Sequence, residues 1–98
     1  MPRETEVPAP RPDDARLIEL FLDMMTAERN AAANTIAAYR RDLDGLAGWL
    51  AGRGRAIADA DTEALRAWLG DPSRQGLAAA PQARRTSSAR RLYAFLLA

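Results

Sequence analysis

Residues 72–98 carry Arg74, Arg84, Arg85, Arg90 and Arg91 and not one acidic residue. Arg84, Ser87 and Arg91 stand at i, i+3 and i+7, the spacing of one ridge along a helix. Guanidinium forks and hydroxyls in a row are the groups that hold phosphate oxygens. The rest of the chain makes this segment distinctive. Residues 1–14 sum to −2 and residues 15–71 to −2, against +5 for residues 72–98, although the whole chain is only +1. Such asymmetry points to a polyanionic partner.

Other chemistry is excluded by composition. All 14 basic residues are Arg; His, Lys and Cys are absent. No thiol, imidazole base, Schiff-base lysine or His/Cys metal site is possible. Asp42 and Asp44 stand two apart on a predicted helix, so they do not face each other. Asp59 and Asp61 read as helix caps and lack the Gly and Glu of a calcium loop. Gly52-Arg53-Gly54 is too short for a phosphate loop. Ser87 and Ser88 have no base to activate them, and Tyr39 and Tyr93 fall on apolar stripes. Neither a metal, a cofactor nor a small-molecule substrate is expected.

The elements that position these residues are helical. Ala occurs 22 times, Val once and Ile three times in 98 residues, which favours helix over sheet and suffices for one domain. Residues 1–12, with Pro2, Pro8, Pro10 and Pro12 among charges, read as a disordered tail ahead of a helical domain over 13–98. The first helix starts with Asp13 or Asp14 as N-cap; Leu17, Ile18, Phe21, Met24, Met25 and Glu28 share a face, and it ends near Arg29-Asn30. The second, about 27 Å long from Asn34 to Ala51, carries the stripe Ile36, Tyr39, Leu43, Leu46, Ala47 and Leu50. Arg41 lies opposite that stripe, with Arg40 and Asp42 on its flanks. Gly45 and Gly48 fall on the polar side, where they either admit another backbone or are simply tolerated. Gly52 and Gly54 stop the helix. The third follows Asp59 or Asp61, buries Leu65, Trp68 and Leu69, and ends at Gly70. After the connection 70–80, the fourth starts with Pro81 at its first position. Gln82, Thr86, Ala89, Leu92, Tyr93 and Leu96 face inward; Arg84, Ser87 and Arg91 form the outward ridge, flanked by Arg90. Arg85 lies at the core edge, and Phe95 falls off the stripe. The apolar helix has no C-terminal cap before Ala98, as in the front piece of a longer protein.

Asn34-Thr35 followed by Tyr39-Arg40-Arg41-Asp42-Leu43, and Ala83-Arg84-Arg85 followed by Ser87 and Arg90, resemble the N-terminal core-binding domain of tyrosine recombinases. Trp49 and Trp68 stand between these markers. The similarity covers about residues 15–98 and is to the XerC/XerD group, nearer the XerD branch in the wording AAANTIAAYRRDL. It implies an all-α, four-helix SAM-like orthogonal bundle whose second and fourth helices lie toward double-stranded DNA. It also implies a separate domain, absent from this chain, with an Arg-Lys-His-Arg-His/Trp-Tyr catalytic set that works without metal or cofactor. The family's DNA-facing positions map here to Thr35, Arg40, Arg41, Arg84, Ser87, Arg90 and Arg91. The chain departs from the family's usual pattern in having Thr86 for Leu and Arg85 for Leu or Ile, which makes the start of the fourth helix more polar.

The resemblance further implies a partner recombinase subunit in the full-length protein. A second reading is a non-enzymatic helical module whose arginines meet an acidic protein. A helix-turn-helix regulator fits less well, because the connection before the fourth helix exceeds a 3–4-residue turn. No apolar h-region opens the chain and no stretch is apolar enough to span a membrane, so a cytoplasmic protein without a membrane partner is expected.

Overall fold

Pro12 opens the first helix, α1 (Pro12–Arg29), one or two residues before the expected aspartate caps. Arg11 is the N-cap residue and makes no side-chain cap bond. Proline suits this position because its fixed φ is helical and its missing N–H would have no partner there. Asp13 and Asp14 therefore sit in the first turn, where negative charge is favourable. The structure, a computed structural model, describes residues 10–70 and 79–97. The expected tail falls largely on residues 1–9, and most of the connection before the last helix on 71–78; both lie outside the described residues.

Asn30 ends α1 in the left-handed region (φ 48°, ψ 42°), a conformation asparagine tolerates better than most residues. The chain turns there into α2 (Ala33–Ala51). At its other end Gly54 takes φ 70°, and the amides of Arg53 and Arg55 both donate to the Leu50 carbonyl at 2.9 Å. A short 3-10 turn, Ile57–Asp59, follows. Next comes α3 (Thr62–Leu69), capped by Asp61, whose side chain accepts from the Ala64 amide at 2.8 Å. The last helix, α4 (Ala79–Leu97), begins two residues before Pro81. The described residues thus form four α-helices and no strand.

The core draws Ile18, Phe21, Leu22 and Met25 from α1, and Tyr39, Leu43, Leu46, Ala47 and Leu50 from α2. Ile57, Trp68, Ala89 and Leu92 complete it. The α2 stripe is as expected, except that Asp42 and Gly48 are also buried, so those sides of the helix are covered. On α4 the buried face departs from the expected one. Ser88 is buried, and Phe95 packs against the core with its ring centroid 5.7 Å from that of Phe21. This face is rotated by roughly 60° from the predicted stripe. Ala83, Ser87, Arg90 and Ala94 are consequently exposed along the outer side.

The backbone of Ile57 ties three elements together. Its N–H lies 3.2 Å from both carboxylate oxygens of buried Asp14, and its carbonyl accepts from the Tyr93 hydroxyl at 2.8 Å. Asp14 is thus a tertiary anchor and not a cap. Burial pushes its carboxyl above the ordinary range, partly offset by the Ile57 N–H. Burial, assisted by Asp14, pushes the Tyr93 phenol up to about 12. Tyr93→Phe is expected to cost about 1 kcal/mol by equilibrium denaturation, the worth of one such hydrogen bond. The folded phenol holds its proton more tightly than an unfolded one, whose pKa is about 10. Tyr93 therefore contributes a loss of stability as pH rises from about 10 toward about 12. Spectrophotometric titration checks this: Tyr93→Phe should remove the later-ionising phenolate band.

Candidate nucleic-acid interface

Asp42 is the polar residue around which α2 and α4 meet. It sits beside Leu43 and one turn from Tyr39 and Leu46, and its side chain is 1% exposed. A carboxylate so placed must be paired. Arg84 supplies a two-bond fork: Nε donates to Oδ2 and Nη2 to Oδ1, each at 2.9 Å. Ser88 Oγ donates to Oδ2 at 3.3 Å. Arg85 Nε lies 4.0 Å from Oδ1, and Arg85 Nη1 donates to Gln82 Oε1 at 3.2 Å. Asp42 raises the Arg84 pKa further above its ordinary value.

The start of α4 is held by the polar residues that distinguish it. Gln82 Nε2 donates to the Leu69 carbonyl at 2.9 Å, joining α4 to the end of α3. Thr86 Oγ1 donates back to the Gln82 carbonyl at 3.1 Å. Arg85, expected at the core edge, is there, with a side chain 16% exposed.

The seven singled-out positions separate into three groups. Arg41, Arg90 and Arg91 are exposed and have no ion-pair partner among the described residues. Thr35, in the first turn of α2, and Ser87, on the outer side of α4, are exposed hydroxyls. Arg40 and Arg84 are engaged. Arg40 pairs with Glu19 of α1 through both of its terminal nitrogens, the Nη2–Oε2 contact being 3.3 Å. That contact lowers the Glu19 pKa and raises that of Arg40. Arg84 leaves the predicted outward ridge because the rotation of α4 brings it over Asp42, which attracts its guanidinium. The outward line on α4 is Ser87 and Arg90, with Arg91 beside it.

Residues 18–98 match the family described as phage integrase, N-terminal SAM-like domain. The chain belongs to that family. This SAM-like domain is 47% identical over 87 residues to a tyrosine recombinase XerD of Bradyrhizobium diazoefficiens, a match covering 89% of the chain and 27% of that protein. Against the XerD of Agrobacterium fabrum the figures are 51% over 84 residues, 86% and 25%. Against that of Caulobacter vibrioides they are 43% over 79 residues, 81% and 26%. The SAM-like domain thus spans about a quarter of the length of these relatives. No solved structure gave a significant match. The resemblance to the XerC/XerD group is borne out, as is the all-α fold.

The SAM-like domain contains no helix among its described residues long and apolar enough to cross a membrane. Those residues also hold no group of three or more His, Cys, Asp or Glu placed for a metal ion. Asp42 and Ser88, buried beneath Arg84, are not among the positions expected from the sequence. The available signal was an acid one residue off an apolar stripe, in a chain whose last helix has basic residues and no acids.

Proposed function

We propose that this chain is the DNA-binding N-terminal domain of a XerD-like site-specific tyrosine recombinase. In this reading residues 13–98 close on one side of a recombination site in duplex DNA, and a catalytic domain elsewhere in the whole protein holds the opposite side. A partner recombinase subunit completes the assembly, which works in the cytoplasm and takes no small-molecule substrate. The carrying observation is the set of exposed arginines on α2 and α4, Arg41, Arg90 and Arg91, without an ion-pair partner among the described residues, in a chain of the integrase N-terminal family. Thr35 and Ser87 add hydroxyls suited to phosphate oxygens. An acidic protein partner is not favoured, since the relatives are recombinases by name.

Titration of a fluorescent duplex across a salt series tests the reading. Binding should weaken linearly in log–log coordinates, each neutralised phosphate contributing about 0.9 to the slope. Salt-independent binding, or none at low salt, is the result against it.

The domain itself should carry out no strand cleavage. It lacks any His or Lys to serve as acid or base, and Tyr93 is half-buried with its hydroxyl donated to Ile57. Incubation with supercoiled DNA should give no covalent adduct; an adduct through Tyr39 or Tyr93 would overturn the assignment of a non-catalytic half.

A further inference from the structure

We infer that Asp42 is a positioning residue, holding Arg84 as a fixed two-pronged donor toward a pair of acceptors on duplex DNA. The inference rests on the DNA-binding reading above and names how one contact of that surface is made. Arg84 uses its Nε and Nη2 on the carboxylate. A guanidinium has five N–H groups, so the edge formed by Nη1 and the second hydrogen of Nη2 remains, with two near-parallel donors. The carboxylate lies beneath, at 1% exposure, while the Arg84 side chain is 36% exposed. The remaining edge is therefore the one that solvent, or a ligand, can reach.

Charge supports a role beyond clipping two helices together. A lone Arg84–Asp42 pair would be neutral and would offer little to an anion. Arg85 adds a second guanidinium on the inner side, 4.0 Å from Asp42 Oδ1. Its Nε is buried without a hydrogen-bond partner among the described residues. One carboxylate and two guanidiniums leave the cluster at +1, and Arg84 is its exposed member. Ser88 helps fix the carboxylate from below. A side chain held in this way loses less rotamer freedom on binding than a free arginine. Two ligands match its outward fork: the oxygens of a phosphate, and the O6/N7 edge of guanine.

The test compares the wild-type chain, Arg84→Lys, Asp42→Asn and the double variant by anisotropy titration on one duplex, with a melting curve for each. Arg84→Lys preserves charge and loses the fork; it should weaken binding about tenfold. Asp42→Asn should weaken binding by a similar factor when Arg84 is present and by little when Lys replaces it. Additive losses in the double variant, or wild-type affinity of folded Arg84→Lys, overturn the inference. Should Asp42→Asn melt below the assay temperature, Arg84→Lys alone decides. A merely structural clip would shift the melting curve and leave affinity below the transition unchanged. Absence of duplex binding by the wild-type chain overturns the DNA-binding reading itself, a distinguishable failure. A duplex with 7-deazaguanine separates the two acceptors: a loss specific to that base identifies guanine, and unchanged binding identifies phosphate.

Discussion

Trp68→Ala is expected to destabilise the domain by about 3–5 kcal/mol, the range for removing a large aromatic from a core. Trp68 is 0% exposed and heads the fully buried side chains by volume. It lies on α3, a helix of eight residues, too short to be stable apart from its packing. Without the indole, α3 keeps only the half-buried Ala64, Leu65 and Leu69 against the core. The short helix cannot easily slide inward to fill the space, because Gln82 of α4 holds the carbonyl of Leu69 at its end and Arg55 lies 3.7 Å from Asp61 at its start. Domains of this size have about 5–15 kcal/mol in total, so the variant should melt at least about 12 °C lower. Denaturant unfolding provides the measurement. Leu97→Ala is the control: at 87% exposure its change should stay within about 0.5 kcal/mol. A loss below about 1 kcal/mol for Trp68→Ala would mean that α3 contributes little to the folded state.

Replacing Arg41, Arg90 and Arg91 together by Ala should nearly abolish the electrostatic component of duplex binding while leaving the melting temperature unchanged. The three are exposed and unpaired among the described residues, so their loss opens no cavity and strands no carboxylate. With Arg84 they make four cations available to phosphates, for an expected log–log salt slope of about −3.6; the triple variant should fall to about −0.9. Between 50 and 200 mM salt the wild-type chain should then weaken by about 150-fold, and the variant by only about 3.5-fold. Arg84 enters this sum because its cluster with Asp42 and Arg85 carries a net +1, whereas Arg40 and Glu19 form a neutral pair and are left out. Wild-type binding without base readout should lie at a Kd of roughly 10⁻⁴–10⁻⁶ M at physiological salt. One guanine contact adds about 1–3 kcal/mol, short of the 4–10 that separate specific from non-specific binding. A recombination site should accordingly be preferred by less than about a hundredfold over scrambled duplex. An unchanged slope in the triple variant would put the DNA face elsewhere on the domain.

Features set by short-range physics could be read directly from the residues. The stripe from Ile36 to Leu50 repeats at helical spacing, and all but half-buried Ile36 are buried. Asp61 caps α3 and Gly54 turns left-handed because each answers a backbone demand within a few residues. The family resemblance was legible for a related reason, since its markers are local runs of sequence. The roles of Asp14, Asp42, Arg84, Ser88 and Phe95 do not follow from helical periodicity, because all five act on partners distant in the chain. Asp14 meets the amide of Ile57, 43 residues away, instead of a cap position. Phe95 lies off its own helix's apolar stripe yet finds Phe21. Periodicity gives the direction of a side chain from its own axis; it carries no information on how that helix is rolled against its neighbour. On α4 the roll is set by packing of Leu92 and Phe95 together with the need of a buried carboxylate on α2 for cations. That roll turned Arg84 from an independent outward arginine into one half of a pair with Asp42, and left Ser87, Arg90 and Arg91 facing out.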